Sequence, residues 1–349
     1  GISDAMKVSL TTTDLEEQTP EIRQQWRQLW REERLLTDRT ELLAVFPSDK
    51  TEKGSNKRGG FTDHLSLYVD RFLSILSDEA DSGGGAALLE WLQSSYSNAS
   101  LLELESFQAL SERRQLDELK TFLEWFRNQF PYFHDRCLHC GVSVKEENAR
   151  RAEETRENPK EDDQAFVGFV FPNATERIGK ASRTELYLCP SCGEFTRFAR
   201  YNSAMHVVDQ RRGRCGEYSV LLYQMLRVLG HEARWVVDWA DHVWAEISMT
   251  RLDGRTRWVH LDPCEASVDE NLLYQGWGKK QTYILSFYTT NGQADEAAIE
   301  DVTEFYTDDK WKAIKKRRED PETQVLEAIR NADNLLRNKL QLNNLTATN

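Results

Sequence analysis

No stretch of the sequence approaches the roughly 18 consecutive apolar residues that a membrane-spanning helix needs, so no transmembrane span is expected. The N-terminus has no basic segment followed by an apolar one, the pattern of a secretory signal. A surplus of cations is also missing. Against 45 basic residues stand 58 acidic ones, for a formal net charge of −13. That is the wrong sign for a protein that displaces counterions from phosphates, so no nucleic acid is expected as a partner. There is no internal repeat and no long low-complexity tract. Together these absences point to a reducing compartment, with a cytoplasmic location expected and the nucleus as a second one.

What is present suits a folded chain. At 349 residues, two domains or one domain with an insertion are expected, with ample length for a core. The hydrophobic share of 39% against 30% charged residues excludes intrinsic disorder. Four regions are expected: a helical one over 14–130, a metal-binding subdomain over 131–200, a catalytic core over 201–290 and a second helical region over 291–345. In the first, Thr19-Pro20 signals a helix start, with Ile22, Trp26, Leu29, Trp30 and Leu36 on one stripe. Residues 47–60 read as a loop, and apolar periodicity returns at 61–76, 86–95, 100–110 and 111–130. The charged segment 145–163 reads as a solvated loop or exposed helix. Residues 216–229 predict a strongly apolar helix stopped by Gly230, and Ala233–Trp239 a strand. His242–Met249 and Arg255–Asp262 predict a hairpin about Asp253-Gly254.

Cysteine is scarce, at six residues, but it is patterned. Cys137 and Cys140 form one C-x-x-C, Cys189 and Cys192 a second. In a reducing compartment such pairs point to a metal rather than to disulfides. Two tight turns supply four thiolates, the ligand set of a structural Zn2+ site. Gly141 and Gly193, directly after each pair, suit turns with positive φ. A dithiol redox pair is the alternative, but it leaves one C-x-x-C unexplained.

Cys215 precedes the apolar helix, where the positive end of the backbone dipole favours a thiolate. A lone cysteine is more often a small core residue, and the hairpin is what argues otherwise. Folding the chain at 252–254 brings His242 and Asp262 to the same end. Period-two alternation puts Val243, Ala245, Ile247, Val259 and Leu261 on a core face, and His242, Trp244, Glu246, Trp258, His260 and Asp262 on the other. Cys215 as nucleophile, His242 as base and Asp262 as its orienting group would perform acyl transfer, in a cleft lined by Trp244 and Trp258. His260 is the weaker base, since it lies beside Asp262 in the strand and not facing it. Cys264 reads as a structural thiol.

The stretch GRCGEYSVLLYQMLRVLGHEARWVVDWADHVWAEI, then RWVHLDPCE and GWGKK at 276–280, resembles cytoplasmic peptide:N-glycanase of the transglutaminase-like superfamily. The paired C-x-x-C motifs resemble that family's zinc-binding insertion. The resemblance implies an α+β fold: a transglutaminase-like (papain-like) cysteine hydrolase core with a zinc-binding insertion and flanking helices. It implies a papain-like set at Cys215, His242 and Asp262, and sugar contacts near Glu265 and Trp277. The implied activity is cleavage of the β-aspartylglucosamine bond of misfolded N-glycoproteins from the endoplasmic reticulum. After GRCGE the family more often continues Trp-Ala-Asn, where this chain has Tyr218-Ser219-Val220. Without the adaptor and mannose-binding domains of animal forms, the sequence resembles the short fungal type. The alternatives are an inactive binding protein of the same fold, or a crosslinking enzyme or protease using the same triad. The last helix, 322–342, carries an apolar stripe of Val325, Ala328, Ile329, Ala332, Leu336 and Leu340. Such a stripe more often packs on the protein's own core, but the resemblance implies that a terminal helix of this kind docks a Rad-type ubiquitin shuttle factor, linking the enzyme to the proteasome.

Overall fold

The computed structural model describes residues 8–9, 61–80, 84–133, 137–142, 166–188, 192, 194–251, 254–290 and 294–347. The helix expected around Trp26 and Trp30, the loop 47–60 and the charged segment 145–163 lie outside the described residues, as do Cys189 and Gly193. The chain divides into two compact units, one of 1–56 with 133–201, the other of 57–132 with 202–349.

The first unit holds an antiparallel sheet in the order β1 (Val8–Ser9), β2 (Phe166–Val170), β3 (Thr184–Leu188), β4 (Phe195–Ala199). Its small core is aromatic: Phe133 and Phe198 stack at 4.3 Å between ring centroids, and Tyr187 meets Phe133 edge-on. A single turn of helix, Ala174–Ile178, is held by a reciprocal capping box in which Asn173 and Glu176 satisfy each other's backbone N–H.

In the second unit a six-stranded antiparallel sheet runs β10–β9–β5–β6–β7–β8. These strands are β5 (Ala233–Asp238), β6 (His242–Thr250), β7 (Thr256–Asp262), β8 (Ser267–Val268), β9 (Ile284–Tyr288) and β10 (Ala298–Asp301). The main helices are α1 (Phe61–Ala80), α2 (Gly84–Ser95), α3 (Glu112–Gln129), α4 (Ala204–Gln210), α5 (Cys215–Val228) and α6 (Glu322–Ala347). Ser111 caps α3 by accepting from the Arg114 N–H. Helix α5 is apolar nearly all round, so it is an inner element: Tyr218, Val220, Leu221, Leu222, Tyr223, Met225 and Leu226 are all buried. Past its end Gly230 adopts φ +93°, the left-handed conformation that only glycine takes cheaply.

The sheet is covered on both faces. On one, Trp235 and Phe287 meet Tyr68 and Phe72 of α1, and Trp235 donates from its indole N–H to Ser219 of α5 at 3.0 Å. On the other, Val236, Trp244 and Ile284 join Tyr274, Val302 and Tyr306. This corrects the expectation of an open polar face on the β6–β7 hairpin. Trp244, Glu246 and His260 are all at most 2% exposed, because the chain after β8 folds back over them.

The apolar stripe of α6 is also resolved. Val325, Ala328, Ile329, Ala332, Leu336 and Leu340 are all buried within this chain. Lys339 pairs with Asp70 of α1 at 2.6 Å, and Asp333 accepts from the Ile299 N–H of β10 at 3.1 Å. The stripe therefore belongs to the core, and the expectation that it docks a partner is corrected.

Candidate active site

Cys215 is the first residue of α5, half-buried. The turn before it is held tightly: the Glu217 carboxylate accepts from the Arg214 N–H at 3.0 Å, and Arg71 donates to the Gly216 carbonyl at 3.0 Å. A Cβ on Gly213 would lie 2.6 Å from the Tyr218 ring, so only glycine lets the chain pass there. Tyr218 in turn donates its hydroxyl to the Pro131 carbonyl at 2.6 Å. Tyr218, Ser219 and Val220, the departures from the family pattern, all point inward and are buried.

The hairpin register pairs Ala245 with Leu261, which sets Asp262 opposite Trp244 and diagonal to His242 on one face. His242 and Asp262 meet there: the ring Nε2 lies 2.7 Å from Asp262 Oδ2. Cys215 lies near enough to the same ring to raise its pKa. Burial works against charge on His242, but the bonds to Asp262 and Cys215 outweigh it and push its pKa up to about 10. The ring is thus an imidazolium at neutral pH, between a carboxylate and a sulfur at a helix N-terminus. Asp262 is fully buried, yet its pKa is held low, chiefly by His242 against the pull of burial. Its four acceptor positions are filled. Oδ1 takes the N–H groups of Cys264 (2.8 Å) and Glu265 (3.3 Å), and Oδ2 takes His242 and the Tyr274 hydroxyl (2.9 Å).

Two residues here carried no signal in the sequence. Tyr274 sits in a short helical turn, Leu273–Gly276, and touches both Asp262 and His260. Tyr132 hydrogen-bonds the Cys215 backbone and forms a parallel bridge with Gly213. Neither position falls in a periodic or motif-like pattern that would have singled it out.

The four expected glycan contacts separate. Trp277 lies at the mouth, 47% exposed, its ring 5.7 Å from that of His242. Lys279 fastens this loop by donating to the Ala240 carbonyl at 2.7 Å, just ahead of His242. Glu265 is exposed beside Asp262. Trp244 is instead fully buried, donating to the Tyr306 hydroxyl at 2.9 Å, so it supports the site from beneath and lines no cleft. Trp258 is four residues from Asp262 along β7, about 13 Å at strand spacing, under the Arg234 guanidinium and against Tyr288. It belongs to the far end of the hairpin. Cys264 is buried, and burial pushes its thiol well above the ordinary range, which suits a structural role.

In the first unit, Cys137, Cys140 and Cys192 bring their sulfurs within 4.8 Å of one another, a group that could hold a metal ion. Cys137 Sγ and Cys192 Sγ are 3.6 Å apart, near the roughly 3.8 Å that two sulfurs keep on a tetrahedral Zn2+. The backbone N–H groups of His139 and Cys140 donate to Cys137 Sγ at 3.3 and 3.5 Å, and Gly141 turns at φ +74°. Burial resists ionisation of Cys137, but these N–H donors and the neighbouring cysteines bring its pKa down to about 6. The donor set fits a thiophilic cation.

Residues 165–263 match the transglutaminase-like superfamily model. The chain is 36% identical over 172 residues to the peptide-N(4)-(N-acetyl-beta-glucosaminyl)asparagine amidase of Gallus gallus, covering 48% of this chain and 23% of that protein. To the protein of the same name from Saccharomyces cerevisiae it is 34% identical over 172 residues, 48% of this chain and 42% of the other. The Arabidopsis thaliana amidase shares 31% over 221 residues, 63% of this chain and 26% of that one. The chain thus spans between about a quarter and two fifths of these relatives' length. A crystal structure of Rad4–Rad23 bound to a 6-4 photoproduct lesion aligns with 79% of this chain and 57% of that one, at 12% identity. Its TM-score of 0.42 is too low to bear on function. The helices and antiparallel sheets form an α+β fold that contains a transglutaminase-like domain over residues 165–263, and the chain is similar there and around it to the peptide:N-glycanases.

Proposed function

We propose that this protein is a deglycosylating amidase that cleaves the bond between an N-glycan and its asparagine. The observation that carries the reading is the 2.7 Å contact of His242 with Asp262, on a ring whose pKa the nearby Cys215 also raises. The Cys215 sulfur attacks the side-chain carbonyl carbon of a glycosylated asparagine. The carbon–nitrogen bond breaks, His242 gives its proton to the departing glycosylamine, and a thioester remains. Water, losing its proton to His242, then attacks the thioester, releasing the thiol and leaving aspartate. Asp262 keeps the imidazole oriented and stabilises its cation throughout.

The curated relatives' name supports the amidase over a protease or crosslinking enzyme with the same triad. The substrate class is a misfolded N-glycoprotein, with Trp277 at the mouth as the aromatic surface for the first sugars. Zn2+, held by Cys137, Cys140 and Cys192 together with Cys189, is the structural metal that the donor set favours. A cytoplasmic and nuclear location, action on glycoproteins exported from the endoplasmic reticulum and a Rad-type ubiquitin shuttle partner follow from the resemblance. Any partner would meet the outward side of α6, where Leu326 and Leu342 are exposed, and not its buried stripe.

Incubating the protein with native and heat-denatured high-mannose ribonuclease tests this. Release of glycan from the denatured form, absent with Cys215→Ala, is the expected result. No release from either form would leave the inactive binding protein as the better reading.

A further inference from the structure

Beneath the triad runs a buried polar chain that the reaction itself does not use. Asp262 Oδ2 accepts from the Tyr274 hydroxyl at 2.9 Å, and the Tyr274 oxygen lies 2.7 Å from His260 Nε2. His260 is 1% exposed, ringed by Trp244, Tyr274 and Tyr306 at centroid distances of 5.7, 5.5 and 5.8 Å. We propose that Tyr274 and His260 are positioning residues for Asp262, fixing the carboxylate oxygen that receives the His242 Nε2–H. The proposal rests on the reading of Cys215, His242 and Asp262 as one reactive set.

The proton directions in this chain follow from its chemistry. The Asp262 carboxylate can only accept, so Tyr274 spends its single proton there. The Tyr274 oxygen is then an acceptor, and His260 must carry its hydrogen on Nε2. Burial pushes the His260 pKa down to about 4, so the ring is neutral and Nδ1 is bare. That atom has no hydrogen-bond partner among the described residues. A buried imidazole with one unpaired nitrogen is costly, and an apolar side chain would fill the space at lower cost. What the imidazole supplies is a donor that holds the tyrosine oxygen in place. With two donors converging on Oδ2, the carboxylate has one position, and so has the His242 ring over Cys215. His260 touches neither Cys215 nor the cleft, and so acts only through Tyr274.

Two readouts test this: kinetics on a denatured glycoprotein, and the alkylation rate of Cys215 by iodoacetamide, followed on its own peptide by mass spectrometry. Tyr274→Phe is expected to lower kcat about 10-fold, as loss of one hydrogen bond to a charged group does, with KM unchanged and Cys215 alkylation slowed in parallel. His260→Leu should act in the same direction, and His260→Gln, whose amide can donate to the tyrosine oxygen, should restore most of the loss. A folded Tyr274→Phe with the parent's kcat and alkylation rate overturns the proposal. If Tyr274→Phe does not fold, the histidine pair decides, and equal rates for Leu and Gln overturn it. Should the parent release no glycan while alkylation still falls in the variants, the amidase reading fails and the positioning role stands.

Discussion

Asp262 is the residue on which the site turns, because it is buried, charged and saturated with four donors. Asp262→Asn puts an amide donor where only acceptors are wanted, and leaves the imidazole in the wrong tautomer. Turnover should fall by on the order of 10⁴, as in other triads, and stability by about 1–3 kcal/mol for the donors left unpaired. Steady-state kinetics and denaturant unfolding measure the two separately. Near-normal turnover would remove Asp262 from its assigned role. The pair also predicts a pH dependence. His242 has its folded pKa raised to about 10, chiefly by Asp262 and Cys215 against burial. Its contribution is present in full below the ordinary value of about 6.5 and is lost as pH rises through about 10. Asp262 is shifted down, so its contribution is present above about 3.9 and is lost on acidification. The stability gap between the parent and His242→Ala should therefore narrow from about pH 6 to about pH 10. A gap that stays constant would mean that the ring is not charged in the folded state.

At the scale of elements, the hairpin was legible and its surroundings were not. A turn at Gly254 and strict alternation place His242 and Asp262 at one end of one face, whatever the rest of the chain does. Alternation cannot say what covers that face. Tyr274 and Tyr306 arrive from segments with no periodic signal, so Trp244 reads from sequence as a cleft wall when it is core. The same blindness applies to α6, whose stripe has the spacing of a docking helix and of a core helix alike. Its burial gives a sharp outcome: replacing Ile329 and Leu336 by Asp should abolish cooperative folding. Each change puts an unpaired carboxylate where the side chain is 9% and 0% exposed. Circular dichroism melts would show it, and a double variant that melts like the parent would return the stripe to the surface. Gly213→Ala should displace the turn before Cys215, because the new methyl meets the Tyr218 ring. Loss of Cys215 alkylation with retained helix content is the expected signature.

Over the whole molecule, composition excluded more than it identified. The net charge is −13, and among the described residues no helix is long and apolar enough to cross a membrane. Three of the cysteines, Cys137, Cys140 and Cys192, were legible as a cluster from their spacing, since paired C-x-x-C turns are the pattern of a thiolate metal site. Metal analysis of unchelated protein should find about one Zn2+ per chain, and chelation should lower the melting temperature of the unit that holds it. Well under one equivalent would contradict a structural metal. The triad carries the central claim, and the oxygen left in the product tests it most directly. Turnover of a denatured high-mannose glycoprotein in ¹⁸O-water, read by mass spectrometry, should convert the glycosylated asparagine to aspartate bearing one ¹⁸O, with no conversion by Cys215→Ala. Conversion that survives Cys215→Ala, or label found at a cleaved backbone bond in place of the side chain, would contradict it.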